Sequence, residues 1–108
     1  AAVLRRHENV IVLSDEIYEH INYVGRHASI ASCEGMKERT VVINGVSKAY
    51  AMTGWRIGFI AAPEWIAKGC NKLQGQYTSG PCSVSQMAAT AGRPHRSPGE
   101  GGDHASGL

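Results

Sequence analysis

Long hydrophobic runs are missing from this chain. No stretch approaches the roughly 20 apolar residues that a membrane-spanning helix needs, so no membrane partner is expected. An excess of one charge sign is missing too. Eleven Lys and Arg stand against nine Asp and Glu, a formal net charge of +2. The basic residues are scattered, which argues against the concentrated positive field that holds nucleic acid. Cysteine is scarce: Cys33, Cys70 and Cys82 are odd in number and widely spaced, with no CxxC pair. None has a second Cys or a His at ligand spacing, so no metal site is expected, and reduced thiols in a cytoplasmic compartment are the simplest reading. The N-terminal AAVLRRHENVIVLS lacks the order of basic region, long apolar core and small-residue cleavage site that marks a signal peptide. What remains is ordinary for a soluble globular chain: 43% hydrophobic and 19% charged residues over 108 positions, enough for one small domain.

Along the chain, AAVLRRH reads as the end of a helix, with a turn at Glu8 and Asn9. Val10 to Leu13 is a continuous apolar, β-branched run, which suits a parallel strand covered on both faces better than a half-exposed one. It stops at Ser14 and Asp15, so polar side chains stand at the carboxyl end of the strand, where open α/β sheets bind ligands. A second strand is expected over Thr40 to Ile43, ending in Asn44 and Gly45. A third, Ile57 to Ala61, ends before Pro63, a suitable first position for a following helix. Residues 64–76 read as helix despite Gly69 and Gly75, Thr78-Ser79-Gly80-Pro81 as a break, and Ser83 as the cap of a further helix through about Ala91. Strands alternating with helical or irregular segments predict an α/β unit with a mostly parallel sheet. The character changes at Gly92. Residues 92–108 hold five glycines and two prolines, with only Ala105 and Leu108 apolar. Such a segment cannot bury enough surface to offset its ordering entropy, so disorder is expected there. It reads either as a natural tail or as the product of a frame error or junction.

The stretch NGVSKAYAMTGWRIG, Asn44 to Gly58, carries the chemistry. It sets Lys48 in a small-residue turn after a strand, with Arg56 eight residues later. Desolvation in such a turn lowers a lysine's pKa and exposes a neutral amine able to attack an aldehyde. Arginine offers a planar fork of donors suited to phosphate. On spacing alone, a solvated turn lysine and a surface-paired arginine are the better reading.

GVSKAYAMTGWRIG resembles the cofactor-attachment signature of class I aminotransferases of the aspartate aminotransferase type. In that signature a lysine bonds pyridoxal 5'-phosphate covalently and an arginine eight positions on holds the phosphate. The small residues at Gly45, Ser47, Ala51, Gly54 and Gly58 fit it. LSDEIYEHINY and QYTSGPCSVSQ are similar to two further segments of the family, so the resemblance covers residues 1–91 and not 92–108. It implies part of the large cofactor-binding domain of a fold type I enzyme over 1–91. It also implies a role for Asp15 at the pyridine nitrogen and for Tyr18 at the phenolic oxygen. A carboxylate on the ring nitrogen keeps it protonated and able to draw off electrons. Three residues apart on a helical turn, Asp15 and Tyr18 would stand about 5–6 Å from each other, suited to two positions on one ring. Without the lysine signature, Asp15 reads as a turn cap and Tyr18 as core.

Ser47 is a candidate phosphate contact, but the family's usual phosphate-binding hydroxyl lies three residues before the lysine, where this chain has Gly45, so the phosphate cup is expected to depend on Arg56 and on residues outside this stretch. Tyr50, Trp55 and Trp65 read as packing residues, and Glu16, Glu19 and His20 as solvated neighbours of Tyr18. The resemblance further implies transfer of an amino group between an amino acid, aspartate first, and a 2-oxo acid, usually by a homodimer. Two alternatives stay open: a β-elimination lyase on the same scaffold, and a transcription regulator whose aminotransferase-like domain senses the cofactor.

Overall fold

The computed structural model describes residues 1–91, so the expectation for 92–108 lies outside the described residues. A short helix α1 (Ala2–Arg5) leads to strand β1 (Val12–Asp15). An irregular segment with single turns of tight helix at Ile30–Ser32 and Lys37–Arg39 then leads to β2 (Thr40–Gly45). A further tight turn at Thr53–Trp55 precedes β3 (Gly58–Ala61), and helices α2 (Glu64–Tyr77) and α3 (Ser83–Ala91) follow.

The three strands form one sheet in the order β1-β2-β3. β1 and β2 are parallel, with Val12 opposite Thr40 and Asp15 opposite Ile43. That register sets where β1 begins. Val10 is held back by its N–H donating to the His7 carbonyl at 3.2 Å, so the strand runs two residues later than the apolar run alone suggests. β3 is antiparallel to β2, pairing Gly58 with Gly45 and Ala61 with Val42. The α/β class and the parallel pair are as expected; the direction of β3 is the departure. Residues 46–57 contain only one turn of tight helix, so the chain doubles back instead of crossing over the sheet as a parallel return requires. The same pairing draws Asn44 and Gly45 into β2.

The core is small. Among the described residues, Met36, Val41 and Val46 are the buried apolar side chains, with Thr40 buried beside them. Thr40 Oγ1 donates to the Met36 carbonyl at 2.7 Å, which satisfies a polar group that burial would otherwise penalise. Arg39 ties α1 to this core, donating to the carbonyls of Leu4 and His7. Each of these carbonyls also accepts a backbone N–H, from His7 and Val10 respectively, so Arg39 adds a second donor to both. The outer surfaces of the strands are open: Leu13 is 70% and Phe59 50% exposed. The coverage on both faces expected for β1 is not supplied by residues 1–91. Helix α2 begins with Glu64 in its first turn, favourable against the helix dipole, and its Trp65 and Leu73 also face solvent.

Candidate functional site

The parallel pairing puts the carboxyl ends of β1 and β2 side by side, and each strand feeds a tight turn. The chain leaving β1 closes a turn through the Glu19 N–H and the Glu16 carbonyl at 2.9 Å, and this turn carries Tyr18. The chain leaving β2 closes another through the Tyr50 N–H and the Val46 carbonyl at 3.2 Å, and this one carries Lys48. The two turns meet: Lys48 Nζ lies 5.5 Å from the centre of the Tyr18 ring, within cation–π range. Asp15 is the last residue of β1, so the helical premise for its distance from Tyr18 does not hold; Tyr18 stands in the turn that follows the strand end. Asp15 Oδ1 accepts the Ile17 N–H at 3.2 Å, the short-range bond by which aspartate fixes turns.

Beside these turns lies a cavity of about 250 Å³ whose lining includes Asp15, Ser47 and Arg56, with Ile43, Ile57 and Gly58. A carboxylate, a hydroxyl and a guanidinium therefore share one concavity. Lys48 and Tyr18 are not among its lining residues; they meet next to it, one and three positions along from Ser47 and Asp15. Lys48 is exposed, so residues 1–91 do not provide the desolvation expected of it. Arg56 has a left-handed backbone, φ 55°, as does Ala51 at φ 51°. Non-glycine residues avoid that region, and it recurs where a site needs a side chain aimed in one direction. Arg56 Nη1 donates to the Thr53 carbonyl at 2.8 Å, and Thr53 Oγ1 donates to the Ser47 carbonyl at 3.1 Å. Thr53 thus braces the turn between the hydroxyl and the guanidinium. Nothing local in the sequence marks Thr53, because its two bonds depend on how residues 47–56 fold back.

Gly45 has a packing reason. A Cβ built there would lie 2.7 Å from the Ile57 carbonyl oxygen and 3.1 Å from Gly58 Cα. β2 and β3 approach too closely at this point for any side chain. A hydroxyl three residues before the lysine therefore has no room in this backbone, while Ser47 is in the cavity wall.

Three expectations for neighbouring residues change. Glu16 is buried rather than solvated. It accepts hydrogen bonds from Ser14 Oγ at 2.9 Å and Ser29 Oγ at 2.6 Å, and pairs with His27 Nε2 at 2.8 Å. Burial alone raises its pKa, but the bonds from Ser29, His27 and Ser14 outweigh it and hold the carboxyl below its ordinary value. Glu19 is bonded too, accepting from Asn44 Nδ2 at 2.6 Å, which links the Tyr18 turn to the end of β2. Tyr50, Trp55 and Trp65 are exposed rather than packed, at 41%, 44% and 64%.

Comparison with known proteins gives a consistent picture. Residues 1–96 match the family model described as aminotransferase class I and II. The chain is 54% identical over 92 residues to a bifunctional aspartate aminotransferase and glutamate/aspartate-prephenate aminotransferase of Petunia hybrida, covering 84% of this chain and 19% of that protein. Among solved structures, the aspartate aminotransferase from Rhizobium meliloti superposes with a TM-score of 0.80 at 47% identity, covering 86% of this chain and 24% of that one. An aromatic aminotransferase from Pyrococcus horikoshii superposes with a TM-score of 0.76 at 48% identity, over 83% and 24%. The chain spans about a fifth of the length of the curated relatives it matches.

Proposed function

Because the chain belongs to the class I and II aminotransferase family, we propose that it is a segment of a pyridoxal-phosphate-dependent enzyme moving an amino group from an amino acid, aspartate first, to a 2-oxo acid. The observation that carries this reading is the cavity shared by Asp15, Ser47 and Arg56 beside the Lys48–Tyr18 pair. Its chemistry suits a molecule with a protonated ring nitrogen and a phosphate, because an anion and a cation stand in one wall. Residues 1–91 form part of the large domain in this reading.

Bound pyridoxal phosphate supplies an electron sink that stabilises negative charge at the substrate's α-carbon. The chain's own residues have separate tasks. Lys48 would hold the cofactor covalently through Nζ and, when that atom is free, would take up and return a proton there as general base and then acid. The Asp15 carboxylate accepts a hydrogen bond from the ring N–H and favours the charged form of the nitrogen. The Tyr18 hydroxyl donates to the phenolic oxygen. Arg56 spends Nη1 on the Thr53 carbonyl and keeps its other N–H donors for phosphate, with Ser47 donating from the same wall. The Petunia relative's name adds prephenate as a candidate acceptor. A homodimeric, cytoplasmic parent completes the reading, in keeping with the free thiols of Cys33, Cys70 and Cys82.

The test is turnover by the full-length parent with aspartate and 2-oxoglutarate, followed as glutamate formed, with and without added cofactor. Cofactor-dependent glutamate formation is expected. Elimination of the amino group as ammonia, with no glutamate, would contradict transfer and favour the lyase alternative.

A further inference from the structure

We infer that Glu16 is a positioning residue: a buried carboxylate that locks the end of β1 so that Asp15 faces the cavity and Tyr18 faces Lys48. The inference rests on the proposed cofactor reading of those residues. Successive side chains of a strand point to opposite faces, and the Glu16 N–H continues the parallel ladder by donating to the Ile43 carbonyl at 2.8 Å. Ser14 and Glu16 therefore share one face and Asp15 occupies the other. The burial pattern agrees, with Ser14 partly covered, Asp15 exposed and Glu16 buried.

Every polar part of Glu16 is engaged. Its N–H is on β2, its carbonyl closes the Tyr18 turn by accepting from Glu19, and its carboxylate holds Ser14, His27 and Ser29. Ser29 in turn accepts the Ala31 N–H at 3.2 Å, so the segment after Gly25 is fastened to the same point. A residue fixed at backbone and side chain at once cannot rotate about the strand axis. Asp15 precedes it directly and Tyr18 is two residues on, so their directions are set by it. The carboxylate itself points away from the cavity and touches none of the proposed cofactor ligands.

The experiment uses the full-length parent loaded with pyridoxal phosphate, and variants Glu16→Gln, Glu16→Ala and Ser29→Ala. Thr40→Val, which removes a buried hydrogen bond elsewhere in the sheet, serves as a structural comparator. The readouts are the pH midpoint of the bound cofactor's visible absorption, the melting temperature, and kcat and KM separately. Glu16→Ala should move the midpoint by about half a pH unit or more. It should lower kcat about ten- to a hundredfold with KM changed less than about threefold, as expected when groups shift by a fraction of an ångström. Glu16→Gln keeps the shape and the serine bonds and should lie between Glu16→Ala and the unsubstituted protein. Ser29→Ala should move the midpoint the same way by less, and Thr40→Val should lower the melting temperature without moving it. If Glu16→Ala does not fold, the Gln and Ser29 variants carry the same expectation. An unchanged midpoint in the folded variants, or an equal shift in Thr40→Val, overturns the positioning role alone. Absence of any cofactor band in the unsubstituted parent overturns the cofactor reading and this inference together.

Discussion

Asp15 and Gly45 show how much one side chain, or its absence, decides here. In the parent, Asp15→Ala should leave pyridoxal phosphate bound through Lys48 and Arg56 while its ring nitrogen loses the anion that keeps it charged. Transamination should fall on the order of 10²-fold or more, with only a modest loss of cofactor affinity. Comparison of kcat with the cofactor dissociation constant checks this; unchanged turnover would make Asp15 a turn-fixing residue and nothing more. Gly45→Ala should destabilise the parent by about 1–3 kcal/mol, because the new methyl meets backbone and not a movable side chain. Denaturant unfolding measures it. Lys48, Arg56, Ser47 and Asp15 could be proposed from the sequence because they sit in short local signatures. Glu16 was not. Its partners His27 and Ser29 lie 11 and 13 residues away in an irregular segment with no periodic pattern, so nothing local signalled that the carboxylate is buried.

Among the elements, the existence of the strands and both long helices followed from apolar runs and breaks, while the bounds of β1 and the direction of β3 did not. β1 starts where its register with β2 begins, and β3 turns antiparallel because residues 46–57 have no crossover helix. Both facts are set by pairing across the sheet. The segment fastened by Glu16 should respond to acid with a definite sign. A carboxylate held below its ordinary value of 4.5 stabilises the fold fully above that value, and the contribution is lost as pH falls through its lower folded pKa. Melting temperatures of the parent taken downward from pH 5 should therefore drop below about pH 4.5, and Glu16→Gln should flatten that part of the profile. A drop of equal steepness in Glu16→Gln would assign the acid sensitivity to other carboxylates. In the turn after Lys48, Ala51 has φ 51°. Ala51→Gly should be neutral to stabilising, by up to about 1 kcal/mol, where the same change on an ordinary helix destabilises by a similar amount.

For the molecule as a whole, the balance of buried and exposed surface matters most. Three buried apolar side chains among the described residues stand against exposed Leu13, Phe59, Trp65, Leu73 and Met87. Open strand edges and apolar faces of this kind lead to association. The 108-residue chain alone should melt without a cooperative transition and show no turnover with aspartate and 2-oxoglutarate. A sharp calorimetric transition with measurable glutamate formation would show that far less of the scaffold suffices. The central claim, that Lys48 is the covalent anchor, is tested on the full-length parent loaded with pyridoxal phosphate by borohydride reduction, digestion and mass mapping of the reduced cofactor. The label is expected on the peptide containing Lys48 and should be lost in Lys48→Ala. A label on Lys68 or Lys72, retained when Lys48 is replaced, would contradict it.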